Sequence, residues 1–136
     1  MVHQTISGNQ KAVANLVALL KRKGVDLRVI RNAAHMLAAV SDPWIPGCQY
    51  ILDSDEDLSA LMLMSQSDDP VCRRHTFITL LNLSKGGDGA RKLLEGDFLR
   101  REPLNPSRED SRVVSAERAI RQNLTEYEAR RQPNKQ

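Results

Sequence analysis

The sequence predicts an all-α protein, and three observations predict it. Apolar residues recur at helical spacing along the chain, strand-like alternation is nearly absent, and the periodic segments are bounded by helix start and stop signals. The composition agrees. The 136 residues allow one domain of ordinary size, hydrophobic residues make up 40% and aromatics only 4%, so Leu, Val, Ile, Met and Ala must fill the core.

Each element has its own signal. Ser7 stands three residues before Gln10, as in a capping box, and Val13, Leu16, Val17 and Leu20 form the stripe of an amphipathic helix that Gly24 ends. Asp26 caps a second helix striped by Leu27, Ile30, Ala33, Ala34, Leu37 and Val40, which Asp42-Pro43 stops. Cys48 to Leu52 reads as a short helix, with a short strand as the less favoured reading, since no partner strand is visible. Leu58, Leu61, Met62 and Met64 form another stripe. Asp69-Pro70 is a strong start signal, an N-cap followed by proline at the first helical position, for a helix through Phe77, Leu80 and Leu81 to Ser84. Asp88 caps a short helix over Ala90, Leu93 and Leu94 that Gly96 closes. Residues 100–106 contain two prolines and read as a linker. Ser107 with Asp110 opens a final helix over 107–131, with Val113, Ala116, Ile120, Leu124 and Tyr127 on one face; residues 132–136 read as a disordered tail.

The chain repeats itself at an offset of 43: residues 29–41, VIRNAAHMLAAVS, align with 72–84, CRRHTFITLLNLS, setting Arg31 on Arg74, Leu37 on Leu80, Val40 on Leu83 and Ser41 on Ser84. Downstream, Ile51-Leu52 parallels Leu93-Leu94. The ending TLLNLS at 79–84, followed by GARKLLEGDFL, resembles the armadillo family, whose three-helix repeat closes on a motif like A-L-x-N-L. The resemblance covers roughly residues 10–99 and implies a short right-handed α-solenoid over residues 1–99, to which the C-terminal amphipathic helix is added. Repeat units of this kind hide their apolar faces only by stacking, and roughly three are normally needed, so two units leave ends to be covered by the tail helix or by another protein.

In that family the third helices line a concave groove, and peptide-binding members place an Asn there. Asn82 matches this Asn by the resemblance, while Ile78 stands where a Trp would complete the ladder and the other copy holds His35 and Ala39; recognition of basic nuclear-localisation peptides is therefore not expected. Asn82 can serve an extended peptide backbone or bond locally. Arg74 and His75, beside Arg73, form either a patch for an acidic partner or a solvated helix face. Trp44, flanked by Pro43, Ile45 and Pro46, is either an interface anchor or the seal of a loop. Val113, Ile120, Leu124 and Tyr127 are the stripe by which the tail helix lies on its own body or a neighbour's.

The net charge of +3 is uneven: residues 1–31 carry six basic side chains and one acid, 32–72 carry seven acids and no Lys or Arg, and 73–136 carry fourteen basic and nine acidic. Alternating blocks favour docking to other protein subunits over a uniform polyanion. Nucleic-acid binding, suggested by a pI near 9.1, is the rival reading, yet basic and acidic residues alternate at pairing distance in the tail. No Walker, GxSxG or GxGxxG pattern is present, the three histidines lack ligand spacing and no paired carboxylates mark a site. The expectation is a non-catalytic scaffold without cofactor, metal or small-molecule substrate. Cys48 and Cys72 read as free thiols of a reducing compartment. No apolar run approaches the roughly 18 residues of a membrane span. The expected location is intracellular, cytoplasmic (cytoskeletal or ciliary included), with mitochondrial as the alternative because residues 1–25 lack acids.

Overall fold

The computed structural model describes residues 2–42 and 44–131, with side chains described for 9–42 and 46–131. Among these residues there are seven α-helices and no strand: α1 (Val2–Lys21), α2 (Leu27–Ser41), α3 (Gln49–Ser54), α4 (Ser59–Met64), α5 (Pro70–Ser84), α6 (Gly87–Glu95) and α7 (Ser111–Arg131). A wide helical turn over Trp44–Cys48 leads into α3, and a single 3-10 turn over Phe98–Arg100 follows α6. No described helix is long and apolar enough to cross a membrane.

The start and stop signals act largely as predicted. Asp26 accepts from the Arg28 amide at 2.8 Å, and Asp69 accepts from the Cys72 amide at 2.9 Å with Pro70 at the first helical position. Gly24 supplies a left-handed turn after α1. Three starts differ. Helix α1 begins at Val2, upstream of the Ser7–Gln10 pair. Gly86 takes the extended N-cap backbone of α6, which leaves Asp88 inside the first turn. The Asn105 side chain binds the amide and hydroxyl of Ser107 in a local turn, so the last helix starts at Ser111, where Asp110 accepts from the Arg112 amide at 2.7 Å. Leu58 precedes α4 in a left-handed conformation and has no side chain to cap it. Buried Asp55 does so from a distance, accepting from the amides of Ala60 and Leu61.

Helix α1 packs on α2, α3 and α4; α5 packs on α2, α4, α6 and α7. One core runs through all of them, with Val13, Val17, Leu37, Ile51, Leu61, Phe77, Leu80, Leu93, Ile120 and Leu124 among its members. Two glycines allow the closest approaches. A Cβ on Gly47 would overlap the carbonyl of Val40, and one on Gly89 would overlap the carbonyl of Leu83. Val40 and Leu83 are the residues that the sequence repeat aligns.

The seams α2–α5 and α5–α7 are built alike. At one end an arginine of the earlier helix reaches an acid at the start of the later one: Arg31 to the Asp69 carboxylate at 2.6 Å, and Arg73 to Glu109. At the other end an asparagine of the later helix donates to a serine hydroxyl of the earlier one, Asn82 to Ser41 at 2.9 Å and Asn123 to Ser84 at 3.0 Å. Each serine in turn donates to a carbonyl of its own helix, Ala38 or Leu81. A buried bond of this kind contributes about 1 kcal/mol net and fixes the register of one helix on the next. Helix α7 is thus seated on α5 much as α5 is seated on α2.

The segment between α6 and α7 is fixed along most of its length. Arg121 donates to the carbonyls of Leu99 and Arg101, and the buried Glu117 carboxylate accepts from the Leu104 amide at 3.2 Å. Phe98 is buried with the guanidinium groups of Arg101 and Arg121 at 5.3 and 5.6 Å from its ring. Residues 99–104, most of the predicted linker, therefore form a strap held by α7.

Candidate functional site

The residues singled out in the sequence fall in three places. The first is the outward surface of the α2–α5 seam. His35 and His75 meet there edge to face, with ring centroids 4.7 Å apart, because each projects from one helix toward the other about midway between the Arg31–Asp69 and Ser41–Asn82 pairs. Arg74 lies beside His75 and makes no ion pair among the described residues. Ile78, one turn on, is 36% exposed, a large share for an isoleucine on a packed helix. Lys85 is exposed at the end of the same helix. Burial pushes the His75 imidazole below its ordinary range, and His35 and Arg74 add repulsion in the same direction. His75 therefore favours its neutral form, and Arg74 and Lys85 carry the positive charge of this surface.

Asn82 lies beneath that surface. It is buried, its amide donates to Ser41, and its carbonyl oxygen receives the Lys85 ammonium at 3.4 Å. Of the two readings the sequence left open, the geometry shows the local one: both ends of the side chain are engaged within the chain.

The second place is α7. Val113, Ile120 and Leu124 are buried in the chain's own core and Tyr127 is half-buried, so the stripe expected to lie on this body or a neighbour lies on this one. The first three are not presented to a partner. The third place is Trp44, whose backbone lies in the turn before α3 and whose side chain lies outside the described residues.

Cys48 and Cys72 are free and fully buried, and burial pushes both thiols up to about 11. The Arg31 guanidinium, followed by the Cys72 amide, holds the Asp69 carboxyl far below the usual carboxylate range despite its burial. Burial raises Asp55, and the two amides it accepts from oppose that rise. These groups work inside the fold, between helices or at helix starts. No family model, curated protein or solved structure matches this chain.

Proposed function

We propose that this chain is a non-catalytic scaffold, a subunit of a larger protein assembly, built as a short armadillo-like stack of helices. One observation carries the reading: Arg74, His75 and Ile78 form a continuous outward surface at the α2–α5 seam, apolar in part and positively charged, with no carboxylate paired to Arg74 among the described residues. A guanidinium beside an exposed aliphatic side chain suits an acidic protein segment that brings one apolar anchor. The matched seams support the stack, since in each of them the later helix uses the same kinds of contact. Asn82 serves the stack, and the partner surface lies above it.

The test is affinity capture from the native source with the full chain and with the Arg74→Glu, Ile78→Asp double variant. Both side chains are at least partly exposed, so the variant should melt within about 0.5 kcal/mol of the parent. A stoichiometric protein partner held by the parent and lost by the variant is the expected result. Equal capture by both, or a nuclease-sensitive ribonucleoprotein as the sole capture, would overturn the proposal.

A further inference from the structure

Helices α5 and α7 each seat one line of side chains on the helix before. On α5 the line is Cys72, His75, Thr79 and Asn82; Asp69 just ahead of it binds Arg31, His75 meets His35, and Asn82 bonds Ser41. On α7 the equivalent line is Val113, Ala116, Ile120 and Asn123, with Asn123 bonded to Ser84. Cys72, Thr79, Val113 and Ile120 are buried because a helix lies over them. Carried back to α2, the same line is Val29, Asn32, Met36 and Ala39. Here Val29 is 42% and Met36 51% exposed, and Asn32 and Ala39 are exposed as well. Of the five large apolar side chains exposed among the described residues, three (Leu27, Val29 and Met36) belong to α2 and none to α7. The stack thus ends in polar groups on α7 and in an uncovered, mostly apolar line on α2, in which Asn32 is the one polar member.

We propose that this line is covered by the α2 helix of a second copy of the chain, running antiparallel about a two-fold axis. Head-to-tail stacking of copies is disfavoured, because the exposed side chains of α7 include Arg112, Ser115, Arg118 and Gln122 and offer no large apolar group. Antiparallel pairing of α2 with itself satisfies shape and charge together. An axis passing between Asn32 and Ala33 sets each Val29 against the Met36 of the second copy. The same axis brings the turn ahead of the helix, where Lys21, Arg22 and Lys23 are exposed, toward exposed Asp42 at the end of the counterpart helix. A parallel pairing would instead set like ends together, the net positive one of Lys21, Arg22, Lys23, Asp26 and Arg28 on itself and Asp42 on Asp42. Antiparallel helix dipoles add to the preference. The pairing leaves Arg74 and Ile78 outside the contact, so the dimer would present two copies of the surface assigned above.

The inference goes beyond the scaffold reading and is tested without any partner. Sedimentation equilibrium of the full chain from about 1 to about 300 µM, the range a small apolar contact calls for, should show a reversible monomer–dimer equilibrium around the 15.3 kDa monomer. Met36→Glu should shift it to monomer at every concentration, with an unchanged melt where the parent is itself monomeric, because Met36 is half exposed and lies outside the core. Lys23→Glu should weaken the dimer about tenfold, and adding Asp42→Lys should restore it. Should Met36→Glu misfold, copper-phenanthroline oxidation of the Val29→Cys, Met36→Cys double variant provides a second measurement: a covalent dimer is expected, far more than either single variant gives. A monomer throughout, a dimer indifferent to Met36→Glu, or equal cross-linking of single and double variants would each overturn the proposal. Partner capture at Arg74 and Ile78 would survive any of these outcomes.

Discussion

Leu124→Ala tests whether α7 belongs to the body of the free chain. Leu124 is fully buried, one of the largest side chains to be so. Its truncation removes three carbon atoms from a packed core, and such changes cost about 2.7–5 kcal/mol when the surroundings relax only partly. A domain of 136 residues has a total stability on the order of 7–20 kcal/mol, so the loss is a large fraction of it. With an unfolding entropy near 0.3 kcal/mol/K for this length, a loss of about 3 kcal/mol lowers Tm by about 10 °C. The assay is urea and thermal unfolding followed by circular dichroism at 222 nm, with Arg118→Ala, an exposed site on the same helix, as a control expected within about 0.5 kcal/mol. The denaturant slope should stay constant, because the folded body is unchanged. A Leu124→Ala effect as small as the control's would show that α7 leaves the body in the free chain, and the seam between α5 and α7 would have no place in its stability.

Gly89→Ala should cost about 2 kcal/mol or more in the same unfolding assay, since the new methyl meets backbone, the Leu83 carbonyl, and α6 must move off α5 to admit it. Acidification should destabilise the chain through His75. Its folded pKa lies below the ordinary 6.5, so the unfolded chain binds the proton more readily, and stability falls as pH drops below about 6.5 and levels off under the folded value. His75→Gln should flatten that part of the unfolding pH profile, and an unchanged slope would refute the assignment. Asp69 adds a separate loss at lower pH, beginning as pH falls through its unfolded value near 3.8. Cys48 and Cys72 should resist a disulfide reagent at pH 8 in the native chain, with only about one thiol in a thousand ionised at a pKa near 11, and should react stoichiometrically after unfolding.

Local chemistry was the legible part of the sequence. Asp26, Asp69-Pro70 and Gly24 act through neighbours one to three residues away, and such signals need no tertiary partner to be read. The offset between the second and fifth helices was visible because the chain between them is long and regular enough to align. The place of the last helix was not. Its Asn123-Leu124-Thr125 repeats Asn82-Leu83-Ser84, and its Asp110 repeats Asp69, but a shorter connection shifts the offset from 43 to 41 and Glu117 and Arg121 interrupt the apolar pattern. Those two residues look like a solvent-facing pair, since they stand one turn apart with opposite charges. In the fold Glu117 is buried and Arg121 half-buried, because both hold the strap between α6 and α7. A charged pair whose partners are backbone groups of a loop leaves no periodic trace. Asn82 was ambiguous for a related reason: its partner, Ser41, lies 41 residues away.

The same use of charge bears on the choice between protein and nucleic acid as a partner. The basic excess behind the pI near 9.1 would favour a polyanion if it were free on one surface. Several of these side chains are committed within the fold. Arg31 and Arg73 bind carboxylates across the two seams, Arg121 binds two carbonyls, Arg101 lies against Phe98, and Lys92 donates to the Leu52 carbonyl at 2.9 Å. Arginine suits this work because its planar fork satisfies several acceptors at once while its stem stays in apolar surroundings. The exposed bases that remain are spread over α1, the turn after it, the start of α2, the end of α5, the segment between α6 and α7, and α7 itself, with Asp26, Asp97 and Glu126 exposed among them. Such a surface gives phosphate groups no continuous track. It does orient an approaching protein whose charges alternate in the opposite sense, and orientation of that kind acts on the rate of encounter more than on the strength of the complex.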